Sequence, residues 1–242
     1  MSAVGRCVAI DCFHGGAIET TATLVAIDVI RATTTIVTAV SRGRRCFPVA
    51  SLEEADLVAA GLPDPLLGGE VAGQRPERFE VHNSPTELAR RTDTRPLVLL
   101  SSSGTRLLGA SRANVTYVAC LRNRAATVRE LLATGAQEIL LAGAGSRGEF
   151  RTEDRLCAAW IAHELVLAGY RPKDAGTVEL IDRWAGAELE VIAAGESAAY
   201  LRRTGQVEDL AFVLSHVDDV DAAFLLLDGE VVPVVVPSLS DA

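Results

Sequence analysis

Aromatic residues make up only 5% of the 242 positions, so the chain has little with which to stack nucleotide bases. It has no basic cluster long enough to follow a phosphate backbone, and its net charge is −9. Nucleic acid is therefore not an expected partner. No apolar run approaches the ~18 residues of a membrane span, and no secretory signal is present. The five cysteines form no C-x-x-C pair, and the four histidines are unclustered. Both absences argue against a zinc site or a disulfide framework. There is no Pro-, Gly- or Ser-rich linker, no fixed-period repeat and no low-complexity tract. A cytoplasmic protein forming a single domain over residues 1–242 is the expectation.

What is present is 49% hydrophobic, much of it Ala, Val and Leu, a composition suited to close packing of helices on a sheet. Strand-like runs fall at residues 6–12, 24–29, 44–49, 96–100, 115–120 and 138–142. Helical patterns fall between them, at 32–42, 51–60, 84–91, 104–107 and 123–134. Ser51 with Glu54 reads as a capping box, and Ser84-Pro85 as a cap followed by a first helical residue. A helix is expected from Arg155 to Ala168, another over 178–194, and shorter ones over 198–203 and 207–216. Asp228-Gly229 between runs 223–227 and 231–236 signals a hairpin. The alternation predicts an α/β fold, three-layer α/β/α, with a mixed, mostly parallel sheet.

Residues 24–43 hold the densest chemistry. A buried strand ends near Asp28, Arg31 follows, and Thr33, Thr34 and Thr35 stand where a helix begins. An acid, a cation, hydroxyls and free amides at a helix start suit a metal-assisted phosphate site. Other polar residues also follow strands: Glu70, Ser101 to Thr105, Asn123, and the pair Glu153 and Asp154. In a parallel sheet the carboxyl ends of strands line one edge, so these groups should converge. Oxygen donors without His or Cys suit Mg²⁺, and Arg31 suits phosphate. The bland readings are a strand-end cap for Asp28, dipole complementarity for Glu153 and Asp154, and a turn with a helix cap for Asn83-Ser84-Pro85. Gly143-Ala144-Gly145-Ser146-Arg147-Gly148 matches a dinucleotide fingerprint. However, Phe150 to Asp154 separate it from the expected helix, so the glycines are read as a tight turn.

These blocks resemble the 2-phosphosulfolactate phosphatase family of coenzyme M biosynthesis. Asp28-Val29-Ile30-Arg31-Ala32-Thr33-Thr34-Thr35-Ile36 is similar to its D-V-L-R-A-T-T-T-I. Gly69-Glu70-Val71-Ala72-Gly73 stands for G-E-R-x-G, and Phe79 to Pro85 for F-D-x-G-N-S-P. Ser101 to Thr105 looks like T-T-N-G-T, and Glu153-Asp154-Arg155-Leu156-Cys157-Ala158 like E-D-x-x-C-A. Asn123, Asp209-Leu210 and Val231-Val232-Pro233 match later positions. The resemblance implies Mg²⁺-dependent release of phosphate from a small phosphorylated acid. It implies metal ligands Asp28, Glu70, Glu153 and Asp154, with Asp28, Arg31, Glu70 and Asp154 catalytic. It makes Thr33, Thr34, Asn83, Ser84, Gly104, Thr105 and Asn123 substrate contacts. The reading allows a homodimer. Val71 departs from the family's arginine, Ser103 from its asparagine and His82 from its glycine. Arg75 is a nearby substitute for the lost cation. A non-catalytic binder of phosphorylated ligands is the alternative that these departures suggest.

Overall fold

In the second strand Leu24 and Ala26 belong to one apolar core while Val25 and Ile27 belong to another. A strand apolar on both faces has to be covered on both. The computed structural model describes residues 5–146 and 148–234. It opens with β1 (Cys7–Cys12), β2 (Thr23–Ile27), α1 (Ala32–Ser41), β3 (Cys46–Val49), α2 (Leu52–Ala60) and β4 (Leu66–Gly69). Then come α3 (Pro85–Arg90), β5 (Leu97–Leu100), α4 (Gly104–Ala110), β6 (Thr116–Ala119), α5 (Arg124–Thr134) and β7 (Glu138–Gly143). The chain continues through α6 (Thr152–Leu167), β8 (Arg171–Pro172), α7 (Ala175–Trp184), α8 (Glu196–Arg203) and α9 (Val207–Ser215). It closes with the hairpin β9 (Phe224–Leu227) and β10 (Glu230–Pro233).

The strands form one sheet in the order β4-β5-β3-β10-β9-β6-β2-β7-β1-β8. The architecture is three-layer α/β/α with a mixed, mostly parallel sheet. Helices α5, α6 and α7 cover one face around Ile27, Leu141, Leu156 and Ile181. Helix α2 extends that layer over Val98 and Leu100. Helices α1, α3 and α4 cover the other face around Ala26, Ile36, Leu88, Leu107 and Phe224. Among the described residues no helix is long and apolar enough to cross a membrane.

The expectation of a single carboxyl edge needs correction. The β3–β10, β10–β9 and β9–β6 junctions are all antiparallel. The parallel group β4-β5-β3 therefore runs against the parallel group β6-β2-β7-β1-β8. Yet α4 packs on both β3 and β2, which have three strands between them in the order. The sheet thus curls around α1 and α4, and the loop after β5 reaches the end of β2.

Other differences are local. Helix α6 starts at Thr152, so Glu153 and Asp154 lie in its first turn and not ahead of it; acids there complement exposed amides. The helix expected over 178–194 breaks into α7, begun by an Asp174 cap on the Thr177 amide, and a 3-10 turn at Leu189–Ala194. Gly186 stands at that break, where glycine weakens a helix. At α2 Ser51 accepts from the Glu54 amide, but Glu54 returns to the Ala50 amide and not to that of Ser51. Strand β10 ends at Pro233, and positions 235 and 236 of the expected strand lie outside the described residues.

Candidate active site

The turn leaving β2 is held by its own threonines. The Thr33 hydroxyl accepts from the Asp28 amide at 2.9 Å and donates to the Asp28 carbonyl at 2.8 Å. The Thr34 hydroxyl donates to the Val29 carbonyl at 2.7 Å. Both side chains are buried. They shape the turn, and it is the buried Thr35 hydroxyl that has no protein partner. The Ile30–Arg31 peptide is cis.

Three acids lie under this turn: Asp28, Glu153 and Asp154, at 5%, 1% and 3% exposure. An oxygen of Asp154 accepts the Val29 amide at 2.8 Å, tying the start of α6 to the end of β2. Burial pushes the Asp28 carboxyl up to about 7, with repulsion from Glu153 and Glu70 adding to it and the Ala32 and Gly104 amides opposing it. Asp154 is pushed well above the carboxylate range by burial and then by Asp28 and Glu153. Glu153 is raised by burial, against a hydrogen bond from Ser197, and its Oε2 is buried without a partner. None of these three acids forms an ion pair among the described residues.

Glu70 arrives from the other half of the sheet. Its carboxylate accepts the Gly73 amide at 2.5 Å, the Ser102 amide at 2.6 Å and the Ser102 hydroxyl at 2.9 Å. It thereby fixes the loop after β5 beside its own turn. Val71 is 44% exposed at that turn. The Arg75 guanidinium donates to the Phe79 carbonyl within its own loop.

Gly104 joins the two halves. A Cβ there would lie 2.4 Å from Asp28 Oδ2, 2.8 Å from Asp28 Cβ and 2.6 Å from Ala32 Cβ. The absent side chain is what lets the start of α4 close on the carboxylate. Gly104→Ala is expected to destabilise by about 1–3 kcal/mol through overpacking and to displace Asp28. Urea denaturation measures the first effect, and a wild-type midpoint would refute the contact.

Several expected substrate contacts are internally satisfied. Thr105 and Ser101 exchange hydrogen bonds with each other across the turn into α4. Asn123 is fully buried; its amide donates to Val118 and Thr127 and its oxygen accepts the Cys120 amide at 2.9 Å. The Ser84 hydroxyl accepts from the Glu87 amide as a helix cap and donates to Asp209 at 2.6 Å. Asn83 remains buried with an unpartnered side-chain oxygen.

Asp209 is the residue that motif spacing left without a role. It lies on α9, 178 positions from Arg31, and bonds Arg31 Nη1 at 2.5 Å. Gln206 also accepts from Nη1. The other Asp209 oxygen takes Ser84 and the Thr86 amide. One buried carboxylate thus binds α3, α9 and the β2–α1 turn together. The family's C-terminal D-[IL] block marks the position, but no local pattern says what it touches.

The glycine loop after β7 is a tight turn, with Ser146 and Glu149 exchanging backbone hydrogen bonds. It borders a cavity of about 520 Å³ lined by residues including Cys12, His14, Phe150, Thr152 and Arg155.

The family model described as 2-phosphosulpholactate phosphatase matches residues 12–225. A probable 2-phosphosulfolactate phosphatase of Deinococcus radiodurans is 33% identical over 87% of this chain and 86% of its own length. Proteins of the same description from Symbiobacterium thermophilum and Gloeobacter violaceus are 37% and 32% identical, each over 78% of this chain, covering 84% and 81% of their own lengths. With the ordered motif blocks folded around one buried acidic turn, and with similarity over most of its length, the chain belongs to the 2-phosphosulpholactate phosphatase family.

Proposed function

We propose that the protein hydrolyses the phosphate monoester of a small acid, 2-phosphosulfolactate or a close analogue, with Mg²⁺ as cofactor. The observation carrying this reading is the burial of Asp28, Glu153 and Asp154 together, with no ion pair to any of them among the described residues. Buried charges need a partner or a metal, and burial raises all three carboxyls above their usual range, a shift that a bound cation would oppose.

The donor set fits a hydrated hard cation. Among the described residues no group of three or more His, Cys, Asp or Glu side chains is placed to hold a metal ion. Mg²⁺ uses one or two carboxylates, several waters and the substrate's phosphate in place of such a group. Asp28 and Asp154 would hold it, with Glu153 and Glu70 beside them. When bound, Mg²⁺ supplies Lewis acidity and cancels phosphate charge. Arg31 offers the phosphate the guanidinium donors that Asp209 and Gln206 leave open. The free Oε2 of Glu153 orients the attacking water and takes its proton. The chain has no D-x-D pattern at Asp28, which favours a ligand role for this residue over a nucleophilic one.

Colorimetric phosphate release from 2-phosphosulfolactate tests the reading. Release should stop with EDTA and return with Mg²⁺. Saturable binding of phosphate esters without release across a panel would favour the non-catalytic binder and overturn the proposal.

A further inference from the structure

A cation sits one strand away from Asp28, on a support built for it. Gly143 ends β7 and pairs in register with Ile27, the residue before Asp28. A Cβ on Gly143 would lie 2.2 Å from the Phe150 ring, so the bare glycine seats that ring against the strand end. The Arg155 guanidinium carbon then stands 5.5 Å from the centroid of the Phe150 ring. Adjacent strands are spaced about 5 Å apart, so the ring packs on the strand next to the one that leads to Asp28.

Arg155 differs from its neighbour Arg151. Arg151 pairs with Glu149 at 3.2 Å and with Glu196. The Arg155 guanidinium has neither ion pair nor hydrogen bond among the described residues, yet the residue is half-buried at the wall of the 520 Å³ cavity. A stacked guanidinium has lost freedom before any ligand arrives, so it loses less on forming a bidentate bond to an anion.

We propose that Arg155, stacked on Phe150, is a specificity-determining residue that reads a non-phosphate acidic group of the substrate, a sulfonate or carboxylate, within this cavity. The assignment rests on the phosphatase reading for the position of the phosphate.

Arg155→Gln and Arg155→Lys, compared with wild type on 2-phosphosulfolactate and on a phosphate ester without further acid groups, test the proposal. Arg155→Gln should raise KM for the acidic ester about ten- to hundredfold, much more than for the simple ester, with kcat far less affected. Arg155→Lys should recover part of the discrimination, which a merely structural role would not give. Calorimetric binding of sulfolactate, the dephosphorylated acid, provides a readout that needs no turnover. Arg155-dependent binding without any phosphate release would defeat the phosphatase reading and keep this one. Equal affinity of wild type and Arg155→Gln for the acid, or an unchanged ratio of KM values, would overturn it whatever the activity.

Discussion

Asp28→Asn is expected to lower phosphate release at least about a hundredfold, the scale on which removing a positioned charged group acts in other sites. The substitution keeps the size and most of the hydrogen bonding of the side chain. It removes the charge that would hold a cation and that Glu153 and Glu70 repel. The same variant should flatten part of the pH dependence of stability. Asp28 titrates at about 7 in the folded chain against 3.8 in a free carboxyl. Below 3.8 both states hold the proton and Asp28 costs nothing. Between 3.8 and 7 the folded state keeps a proton that the unfolded chain has released, so stability falls as pH rises through that window. Above it the full penalty remains. Asparagine carries no such proton. Melting curves from pH 4 to 8 in EDTA should therefore fall less steeply for the variant, with the largest gain in Tm at the upper end. Full activity in Asp28→Asn would remove this residue from the mechanism. An unchanged slope would show that its burial is not what raises its pKa.

Asp209→Ala should destabilise the protein by about 3–5 kcal/mol, because it strands a buried guanidinium and does not merely delete a contact. Arg31 is 7% exposed and Asp209 is 5% exposed in their pair. Removing the carboxylate also leaves the Ser84 hydroxyl and the Thr86 amide without their acceptor. Asp209→Asn keeps an acceptor oxygen for those two groups and loses only the charge, so it should cost clearly less. Urea unfolding of the three proteins separates the effects. If Asp209 acts on function by positioning Arg31, KM for the phosphate ester should rise in the alanine variant and recover in part in the asparagine variant. A loss below about 1 kcal/mol would place this pair with exposed ion pairs of little consequence.

The elements were legible because their signals are local. Leu24 to Ile27 is an apolar run of strand length, Ser84-Pro85 is a cap, and Asp228-Gly229 is a hairpin turn. The acids of the site were legible because the strand ends deliver them, and Asp28 with Asp154 lies where the motif blocks indicate. Roles within the site were less so. Thr33, Thr34, Thr105 and Asn123 carry hydroxyls or amides suited to a ligand, yet each is held by backbone four or five residues away. Short polar side chains at a turn bond their own chain first, and sequence spacing does not tell that use from ligand binding. Asp209 was hidden for the opposite reason: its partners Arg31, Ser84 and Thr86 are all more than a hundred residues away. The reversal of one half of the sheet was hidden as well. Each βα unit reads alike in either direction, and only the pairing of the last hairpin decides it.

That hairpin also sets the order in which the protein can be made. Among the described residues, strands β9 and β10 are the only sheet connection between the group holding Glu70 and Gly104 and the group holding Asp28 and Asp154. During synthesis every acid of the site leaves the ribosome before residues 224–233 do. Until those residues arrive, no strand of one group can bond a strand of the other, and the nascent chain exposes two open sheet edges, those of β3 and β6. Edges of that kind recruit wrong partners. The hairpin that covers both edges carries none of the chemistry of the site, yet the two halves of the site meet across a sheet that it completes.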